Sequence, residues 1–378
     1  MANILILGGG FGGLVAAERL AAAFVPGAHQ ITLVSRKPEF VFYPALVQVA
    51  FGKIDPEAVQ FNLSAKLSEQ GVRFVQGDVV NIDVETKEVQ IYGDDFDGKL
   101  HYDYLIVALG RRLATEKVDG FFEHAHHILG VEAALKFGEA INHFKQGKIV
   151  VGMCPEARLP VPTCETAFAL ARKFERQISD RKIELSIVFP ESIKAAFGGA
   201  KLGRELRWTL EKHDIHAITN FPINKISTDE IYGPGEERID YDLLMLVPPF
   251  RGQTLLNRTS AGAADASDYA KVNSFMQLES LPQAYAVGDV VALSGPKFAH
   301  MAVRQARVAA ENVIAEILSE VPQEEYHHEI STIIDQGGTD TIYLHYGIWN
   351  DELYRLQKGR LWSWAKTIHE SYWRAVHS

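Results

Sequence analysis

The feature that most constrains this chain is a run of glycines placed between a strand and a helix at its N-terminus. Asn3–Leu7 is an apolar run of strand length, Gly8–Gly13 follows it, and Leu14–Phe24 has the alanine- and leucine-rich composition of a helix. Glycines at this spacing allow a tight turn and a close approach of the backbone to a pyrophosphate, at a helix N-terminus that attracts anions. The sequence therefore predicts a dinucleotide site, and a glycine-rich turn without a ligand is the alternative. The residues predicted to contact the cofactor here are Gly8, Gly10, Phe11, Gly12 and Gly13.

Short apolar runs alternate with helical segments along most of the remaining chain. This alternation predicts an α/β fold with parallel sheets. Helices are expected over Thr163–Arg176 and Lys297–Leu318. The further predicted strands are Gln30–Ser35, Val72–Gly77, Val79–Ile82, Glu88–Tyr92, Asp103–Gly110, Lys148–Gly152, Ile183–Phe189, Asp242–Pro248 and Tyr285–Asp289.

Size and composition narrow the class of protein. The chain has 378 residues, more than a typical domain of roughly 150 residues, and 47% of them are hydrophobic, which is enough to bury a large core. The net charge of −10 argues against a nucleic-acid-binding surface. Two cysteines exclude a disulfide scaffold and a cluster of four thiolates. No apolar run approaches the ~18 residues of a membrane span, so we expect a soluble, intracellular protein.

Residues at the ends of later strands complete the predicted cofactor site. Ser35, followed by Arg36, ends the second strand, where an acidic residue commonly binds a ribose hydroxyl. Gly110 ends a buried strand and would let the chain pass close to a nucleotide. Asp289 precedes a long helix, so its carboxylate can bind the ribityl hydroxyls of a flavin while the helix N-terminus stabilises negative charge on the ring. N-capping is the alternative role of Asp289. These positions indicate FAD, and Val79 is added as a further cofactor contact.

Several segments together resemble the flavoproteins with two dinucleotide-binding domains, and among them the sulfide:quinone oxidoreductases. Flavocytochrome c sulfide dehydrogenases and type II NADH dehydrogenases are the next most similar groups. The resemblance covers nearly the whole chain, and besides the glycine turn the segments that carry it are Ser35–Ala50, His101–Gly110, Val131–Ala140, Tyr285–Asp289, Pro296–Asn312 and Gly359–Tyr372. It implies FAD as the cofactor and a quinone as the electron acceptor.

The resemblance also implies roles for three side chains. Lys297 corresponds to a lysine near the flavin edge, and His300 lies one turn further along the same helix, facing the quinone site. Glu165 matches a family glutamate that would relay protons to a quinone or to the flavin. A charge in the first turn of a helix is the alternative for Glu165.

The sequence departs from this family at the two redox cysteines that flank the flavin. Leu159 stands where the first is expected, Thr332 stands where the second is expected, and no cysteine follows Cys164. Either Cys154 and Cys164 act as a displaced redox pair, or sulfide is not the substrate. Cys164 lies near the start of a predicted helix, whose dipole can lower the pKa of a thiol. A buried, inert thiol is the alternative for each cysteine.

The chain also lacks the second glycine fingerprint that type II NADH dehydrogenases carry. The strand Lys148–Gly152 corresponds to the one that precedes it, yet no further glycine occurs before Gly198. Three prolines between positions 155 and 162, together with Arg158, would obstruct close approach of the backbone to a phosphate. Use of NADH is therefore in doubt.

The C-terminal segment has a composition of its own. Four of the five tryptophans lie in Trp349–Ser378, interleaved with lysines and arginines. Tryptophan and tyrosine suit the headgroup level of a bilayer, and basic residues suit anionic lipids. We therefore expect Gly359–Ser378 to dock on a membrane surface near a quinone entrance, with packing on the protein's own core or on a dimer partner as the alternative. The apolar stripe of this predicted helix comprises Leu361, Trp364, Ala365, Ile368, Tyr372 and Val376.

These observations predict two Rossmann-like domains in an α/β fold. The first, residues 1–110 and 280–325, binds FAD; the second, 111–279, is a degenerate dinucleotide-binding domain; and 326–378 form a C-terminal segment. The predicted function is an FAD-dependent oxidoreductase that passes electrons from a small donor to a quinone-like acceptor, without normal sulfide chemistry. The alternatives are an NAD(P)H dehydrogenase of the type II kind with an atypical nicotinamide site, and a non-catalytic FAD-binding partner subunit.

The remaining predictions concern roles and surroundings. The catalytic candidates are Cys154, Cys164, Glu165 and Lys297. No metal is expected, because histidines such as His124, His126 and His127 have no companion ligands at suitable spacing. We expect a cytoplasmic protein that its tail could attach to the inner face of the cell membrane, and a homodimer stays open.

Overall fold

The apolar runs of the sequence fold into two parallel sheets with helices packed against them. The structure is a computed structural model that describes residues 1–94, 96–235, 237–258, 262–279, 281–336 and 341–377. The α/β class predicted from the alternation of elements is confirmed. None of the helices in the described ranges has the length and hydropathy of a membrane span.

The first part of the chain contains nine strands and three helices within residues 1–94 and 96–107. The strands are β1 (Asn3–Leu7), β2 (Gln30–Ser35), β3 (Glu39–Val41), β4 (Gln60–Asn62), β5 (Arg73–Gln76), β6 (Asp78–Asp83), β7 (Glu88–Tyr92), β8 (Gly98–His101) and β9 (Tyr104–Val107). The helices are α1 (Phe11–Ala23), α2 (Leu46–Ala50) and α3 (Leu63–Glu69). Helix α1 begins three residues earlier than predicted, so the last two glycines of the turn lie in its first turn.

The middle part carries the second parallel sheet and its helices. Its strands are β10 (Arg112–Leu113), β11 (Gly147–Met153), β12 (Ile183–Val188), β13 (Ile215–Ile218), β14 (Lys225–Ile226), β15 (Glu230–Tyr232), β16 (Arg238–Asp240), β17 (Leu243–Val247) and β18 (Phe250–Arg251). Its helices are α4 (Phe121–His124), α5 (Val131–His143), α6 (Pro160–Lys173), α7 (Glu175–Ser179), α8 (Ile193–Ala196), α9 (Gly203–Lys212) and α10 (Thr254–Asn257).

The last part returns to the first sheet and then adds a small sheet and a helix. Its elements are β19 (Ala284–Ala286), α11 (Ala299–Ile317), β20 (Glu329–Ile334), β21 (Ile342–Gly347), β22 (Tyr354–Lys358) and α12 (Arg360–His377). The first sheet has the order β19-β9-β1-β2-β5, and the second has the order β13-β12-β11-β17. All pairings within these two sheets are parallel. Apart from the edge strands β5 and β13, the strands are buried along most of their length, as helices on both sides of the sheets require.

The strand order shows how the first sheet is completed. Strand β19 pairs with β9, with Ala284 opposite Leu105, although about 180 residues separate them in the sequence. Helix α11, which follows β19, packs along α1. The division of the chain into 1–110 with 280–325 and 111–279 stays a prediction, and this pairing supports it. Ser280, at its boundary, lies outside the described residues.

Candidate active site

A large cavity lies at the carboxyl ends of the strands of the first sheet. Its volume is about 2360 Å³, and its walls come from the first sheet, α6, α11, the C-terminal sheet and α12. Pockets for a single small ligand are typically ~300–1,000 Å³, so this cavity has room for a dinucleotide and a second molecule. The residues that line it directly after each strand of the first sheet include Gly8, Arg36, Gly77, Ala108 and Val287.

The glycine turn after β1 forms one wall of this cavity. A Cβ atom on Gly8, where φ is +109°, would lie 2.2 Å from the Ala108 carbonyl oxygen, and one on Gly13 would lie 1.8 Å from the Gly8 carbonyl oxygen. A Cβ atom on Gly10 would meet no protein atom within 4 Å, because Gly10 borders the cavity. The turn is thus closed on the protein side and open on the cavity side. This cradle beside the N-terminus of α1 fits the pyrophosphate of FAD.

The other predicted cofactor contacts reach the same cavity from neighbouring strands. Ser35, Arg36, Val79 and Gly110 all line it. Gly13, which was also predicted to contact the cofactor, is absent from the described lining, and its lack of a side chain serves the packing of the turn instead.

Asp289 lines the cavity in the short turn Gly288–Val290, ten residues before α11 begins at Ala299. That distance excludes the N-cap role that was considered for it. Its carboxylate forms an ion pair with Arg111, whose guanidinium lies 4.2 Å from the ring centroid of Phe250. Sequence reasoning missed Arg111, although its position directly after Gly110, a predicted cofactor contact, could have suggested it.

Lys297 is buried at the cavity wall. Its Nζ atom donates a hydrogen bond to the Val291 carbonyl and lies 5.0 Å from the ring centroid of Tyr269. Burial, and secondly the nearby Arg158, hold the pKa of Lys297 well below its ordinary value. A lysine with a lowered pKa loses its proton more readily than an ordinary lysine, which fits its predicted place at the flavin edge.

The two positions where the resemblance expects redox cysteines do face the cavity. Leu159 precedes α6, Thr332 lies in β20, and both line the wall. An aliphatic side chain and a hydroxyl therefore occupy the places where thiols would meet a cofactor. Neither side chain can carry a redox-active sulfur.

The two cysteines that the chain does have lie elsewhere. Cys154 and Cys164 are fully buried in different hydrophobic clusters, and neither is among the residues that line the cavity. Helix α6 begins at Pro160 instead of the predicted Thr163, because proline suits the first turn, where its missing N–H costs nothing. Burial raises the pKa of both thiols, so the expected lowering at Cys164 by the helix is wrong. The geometry gives no support to a displaced redox pair.

Glu165, one residue further along α6, lines the cavity and meets the C-terminal helix there. Its Oε1 accepts hydrogen bonds from Lys366 Nζ and, at 2.9 Å, from the Asp335 backbone N–H. Burial, the largest effect, raises the pKa of Glu165 despite these partners. Burial alone would lower the pKa of Lys366, but Glu165 and Glu370 more than offset this, so its pKa lies above the ordinary value. Lys366 was missed because the tail was interpreted through its apolar stripe.

Helix α12 also closes the cavity beside the glycine turn. The ring centroid of Trp373 lies 4.8 Å from that of Phe11 and 5.1 Å from those of Phe40 and Phe42. His377 Nδ1 lies 2.7 Å from a carboxylate oxygen of Glu18 in α1. The polar and aromatic face of α12 thus packs on residues beside the glycine turn, which is the packing alternative considered for the tail.

Histidines near the cavity are held neutral by burial. Burial lowers the pKa of His126 and His127, and it lowers the pKa of His300 to about 4. His300, which lines the cavity on α11, accepts a hydrogen bond from the Ser331 backbone N–H. Among the described residues, no three His, Cys, Asp or Glu side chains form a group that could hold a metal ion.

Comparison with known proteins places this geometry in a family. The chain is 24% identical to the sulfide-quinone reductase of Aquifex aeolicus over 337 residues, which cover 83% of this chain and 76% of that protein. It is 26% identical to a type II NADH:quinone oxidoreductase of Mycobacterium tuberculosis over 368 residues, which cover 90% and 77% of the two chains. The solved structure of the Aquifex aeolicus sulfide:quinone oxidoreductase superposes with a TM-score of 0.91 at 22% identity, covering 98% of this chain and 90% of that one.

The family model described as pyridine nucleotide-disulphide oxidoreductase matches residues 2–306, which is most of the chain and includes both parallel sheets. Together with the glycine cradle and the cavity behind it, this match shows that the chain belongs to the pyridine nucleotide-disulphide oxidoreductase family and is an enzyme with FAD as its cofactor.

Proposed function

We propose that this enzyme passes electrons from a small donor to a quinone-like acceptor. The observation that carries the proposal is a cavity larger than a dinucleotide needs, with the buried Glu165–Lys366 pair in its wall. Two of the relatives described above are named as quinone reductases. A quinone takes up protons as well as electrons, and this pair can hold and release a proton there.

FAD, when bound, supplies the two-electron chemistry, and the chain's own residues bind it and control protons around it. The glycine turn would hold the pyrophosphate, and Asp289, paired with Arg111, would bind the ribityl hydroxyls. Lys297 contributes an amine with a lowered pKa at the buried wall. Glu165, with a raised pKa, would carry protons to the acceptor.

We further propose that sulfide is a poor donor for this enzyme. Leu159 and Thr332 line the cavity, and neither can form a covalent sulfur adduct or hold a polysulfide. Cys154 and Cys164 are buried, and their raised pKa values disfavour thiolates. Fast sulfide turnover that is abolished by Cys154→Ser or Cys164→Ser would overturn this proposal.

The proposed function is tested by reducing and reoxidising the purified flavoprotein under anaerobic conditions. The donors are sulfide, a persulfide, NADH, NADPH and a quinol, each followed through the flavin absorbance. Reoxidation of the dithionite-reduced protein by a soluble quinone is measured in the same apparatus. We expect rapid reoxidation by the quinone, and slow or absent reduction by sulfide. A reduced flavin that the quinone does not reoxidise would contradict the proposal, and rapid bleaching by NADH would favour the NAD(P)H dehydrogenase alternative.

We also propose that the outer face of α12 docks on a membrane. Its stripe of apolar side chains faces solvent, with exposures of 70% for Leu361 and Trp364 and 66% for Tyr372. The inner face carries Lys366 and Glu370, so the usual arrangement of an amphipathic helix is reversed. An apolar stripe exposed in this way marks an interaction surface, and its Trp and Tyr suit a lipid interface.

The inner face of α12 determines how membrane docking should be tested. A chain ending at Lys358 would lose Trp373 from the cofactor-binding domain as well as the stripe, so truncation cannot separate the two roles. Trp364→Glu and Ile368→Glu alter exposed residues only, and Val321→Glu, at a site 74% exposed elsewhere, is the matched control. In co-sedimentation with anionic liposomes, we expect the first two variants to bind several-fold less than the control. Equal binding of all three variants and the wild type would show that the outer face of α12 does not contact the membrane.

A further inference from the structure

Helix α12 carries one carboxylate, Glu370, and it lies buried beside the Glu165–Lys366 pair. Glu370 lies one turn after Lys366, is 5% exposed and borders the cavity. Its Oε2 accepts a hydrogen bond from Gln48 of α2 at 2.9 Å. Its Oε1 is buried and accepts no hydrogen bond from any residue that the structure describes. A buried carboxylate oxygen without a donor is costly when charged, and it calls for an explanation.

The group nearest to this oxygen is the lysine that also serves Glu165. Lys366 Nζ lies 3.7 Å from Glu370 Oε1, which is too long for a hydrogen bond but within ion-pair range, and it donates to Glu165 Oε1. One ammonium thus faces two buried carboxylates. Two carboxylates competing for one cation in a low-dielectric site cannot both ionise easily, so the group retains a proton that a separate Glu–Lys pair would release.

The surrounding charges do not remove this competition. Burial, the largest effect, raises the pKa of Glu370, and Glu165 raises it further, against Lys366, Gln48 and Arg374. From the other side, Asp335 faces Glu165, donating its backbone N–H but adding a carboxylate, and Arg172 of α6 adds a positive charge near both Glu165 and Asp335. The pKa values of both glutamates lie above the ordinary range, and that of Lys366 also lies above its own.

We propose that Glu370 is a positioning residue that competes with Glu165 for Lys366 and thereby keeps Glu165 protonated and able to donate. The proposal rests on the quinone-reducing function proposed above. Reduction of a quinone to a quinol takes two electrons and two protons; the reduced cofactor supplies both electrons and one proton, and Glu165 supplies the second. In that step the O–H bond of Glu165 breaks and an O–H bond forms on a quinone oxygen. Glu165 Oε2 is the oxygen that can donate this proton, because both hydrogen bonds that the Glu165 carboxyl group accepts from the described residues fall on Oε1. Water entering the cavity then returns a proton to Glu165.

The test compares Glu370→Gln with Glu165→Gln, and Glu352→Gln at an exposed site is the matched control. Glutamine keeps the size of Glu370 and can still bond to Gln48, so the fold should survive. With a neutral side chain at position 370, the Lys366 ammonium interacts with the Glu165 carboxylate only, and this favours the ionised form of Glu165. We therefore expect the pKa that governs quinone reduction to fall by about one unit, a tenfold change in the proton dissociation constant. Glu165→Gln should remove that pKa from the profile, and the control should match the wild type.

A second measurement does not depend on turnover. Infrared difference spectra of the oxidised FAD-bound protein between acidic and neutral pH report protonated carboxylic acids directly. We expect the carboxylic-acid band that Glu165→Gln removes to persist toward neutral pH in the wild type and to be lost at lower pH in Glu370→Gln. An unchanged band and an unchanged pH profile in that variant would overturn the proposal. A wild-type protein that shows the band but fails to reduce quinones would contradict the proposed function. It would not contradict the claim that Glu370 keeps Glu165 protonated.

Discussion

The two parallel sheets offer the same topological position for a dinucleotide, but only one of them keeps it open. After β1, the turn of glycines leaves free space at Gly10 beside the N-terminus of α1. After β11, the corresponding turn is filled by its own side chains. Cys154 enters a hydrophobic cluster, and Arg158 donates to the carbonyls of Leu293 and Gly295. A shared strand–turn–helix topology therefore does not imply a shared ligand, since the side chains of the turn decide whether a phosphate can approach.

Helix α6, which follows the turn after β11, faces the cavity beside the first sheet. Leu159, just before α6, and Glu165, within it, line the cavity beside the first sheet, in place of backbone N–H groups facing a second nucleotide. The segment after β11 thus supplies part of the cavity wall and, in the proposed function, a proton carrier. This comparison predicts where substitutions abolish cofactor binding, where they affect mainly stability, and where they affect protons.

The largest effect is expected at the open turn. Gly10→Val places a side chain in the cavity without meeting protein atoms, so the fold should persist while the pyrophosphate is displaced. Overpacking costs of about 1–3 kcal/mol correspond to FAD binding weakened by ~10- to 100-fold. Flavin content after gel filtration and titration of the apoprotein measure this. Gly203→Ala is the control, because its Cβ would lie 3.8 Å from Ile193. Full flavin content in Gly10→Val would show that the glycine turn does not bind the pyrophosphate of FAD.

A substitution in the filled turn should act mainly on stability, with a secondary rise in the pKa of Lys297, because Arg158 helps to lower it. Arg158→Ala removes a buried guanidinium that donates to two backbone carbonyls, and we expect a loss of about 3 kcal/mol in the free energy of unfolding. Arg204→Ala, whose side chain is 91% exposed, should change stability by less than about 0.5 kcal/mol. NADH should not become a reductant in Arg158→Ala, because the prolines of the turn remain. Rapid bleaching of the flavin by NADH in that variant would show that Arg158 alone closes a working nucleotide site.

The proton carrier on α6 should give a smaller, pH-dependent effect. The folded pKa of Glu165 is raised, so the folded protein binds more protons than the unfolded chain above the ordinary carboxyl pKa of about 4.3. The contribution of Glu165 to stability is therefore present at low pH and is lost as pH rises through the folded pKa. The melting temperature of Glu165→Gln relative to that of the wild type should therefore rise as the pH increases from about 4.5 to about 8. A difference that falls or stays constant over this range would mean that Lys366 holds Glu165 ionised.

The smallest functional effect is expected from the cysteines. Cys154→Ala and Cys164→Ala remove buried sulfurs and should cost about 1 kcal/mol each in stability. Rates of flavin reduction and of reoxidation by quinone should match those of the wild type. Native protein should also resist thiol-blocking reagents, which react with thiolates. Loss of flavin reduction in either variant, with stability retained, would support the hypothesis that Cys154 and Cys164 form a displaced redox pair.

Local patterns predicted the strands of the first sheet and the glycine turn well, because their causes are local. The glycines of the N-terminal turn are required by backbone conformation and close approach, and the strand Gln30–Ser35 has Ile, Thr, Leu and Val in succession; both can be recognised within a few residues. The family and FAD follow from these signals in combination and are confirmed. Lys297 stays a predicted catalytic residue whose burial could not be foreseen from its neighbours.

What only the tertiary structure decided is which side chains meet across long sequence separations. Lys366 reaches Glu165 from 201 residues away, and Trp373 reaches Phe11 across the whole length of the chain. The sequence placed a helix with an apolar stripe at the C-terminus, but the stripe alone could not show which face would be buried. The structure buries the charged and aromatic face because Glu165, Gln48 and the phenylalanines of the first domain offer partners for it, and it leaves the apolar stripe outside. Periodicity is a property of one segment, whereas burial depends on the partner that the rest of the fold supplies.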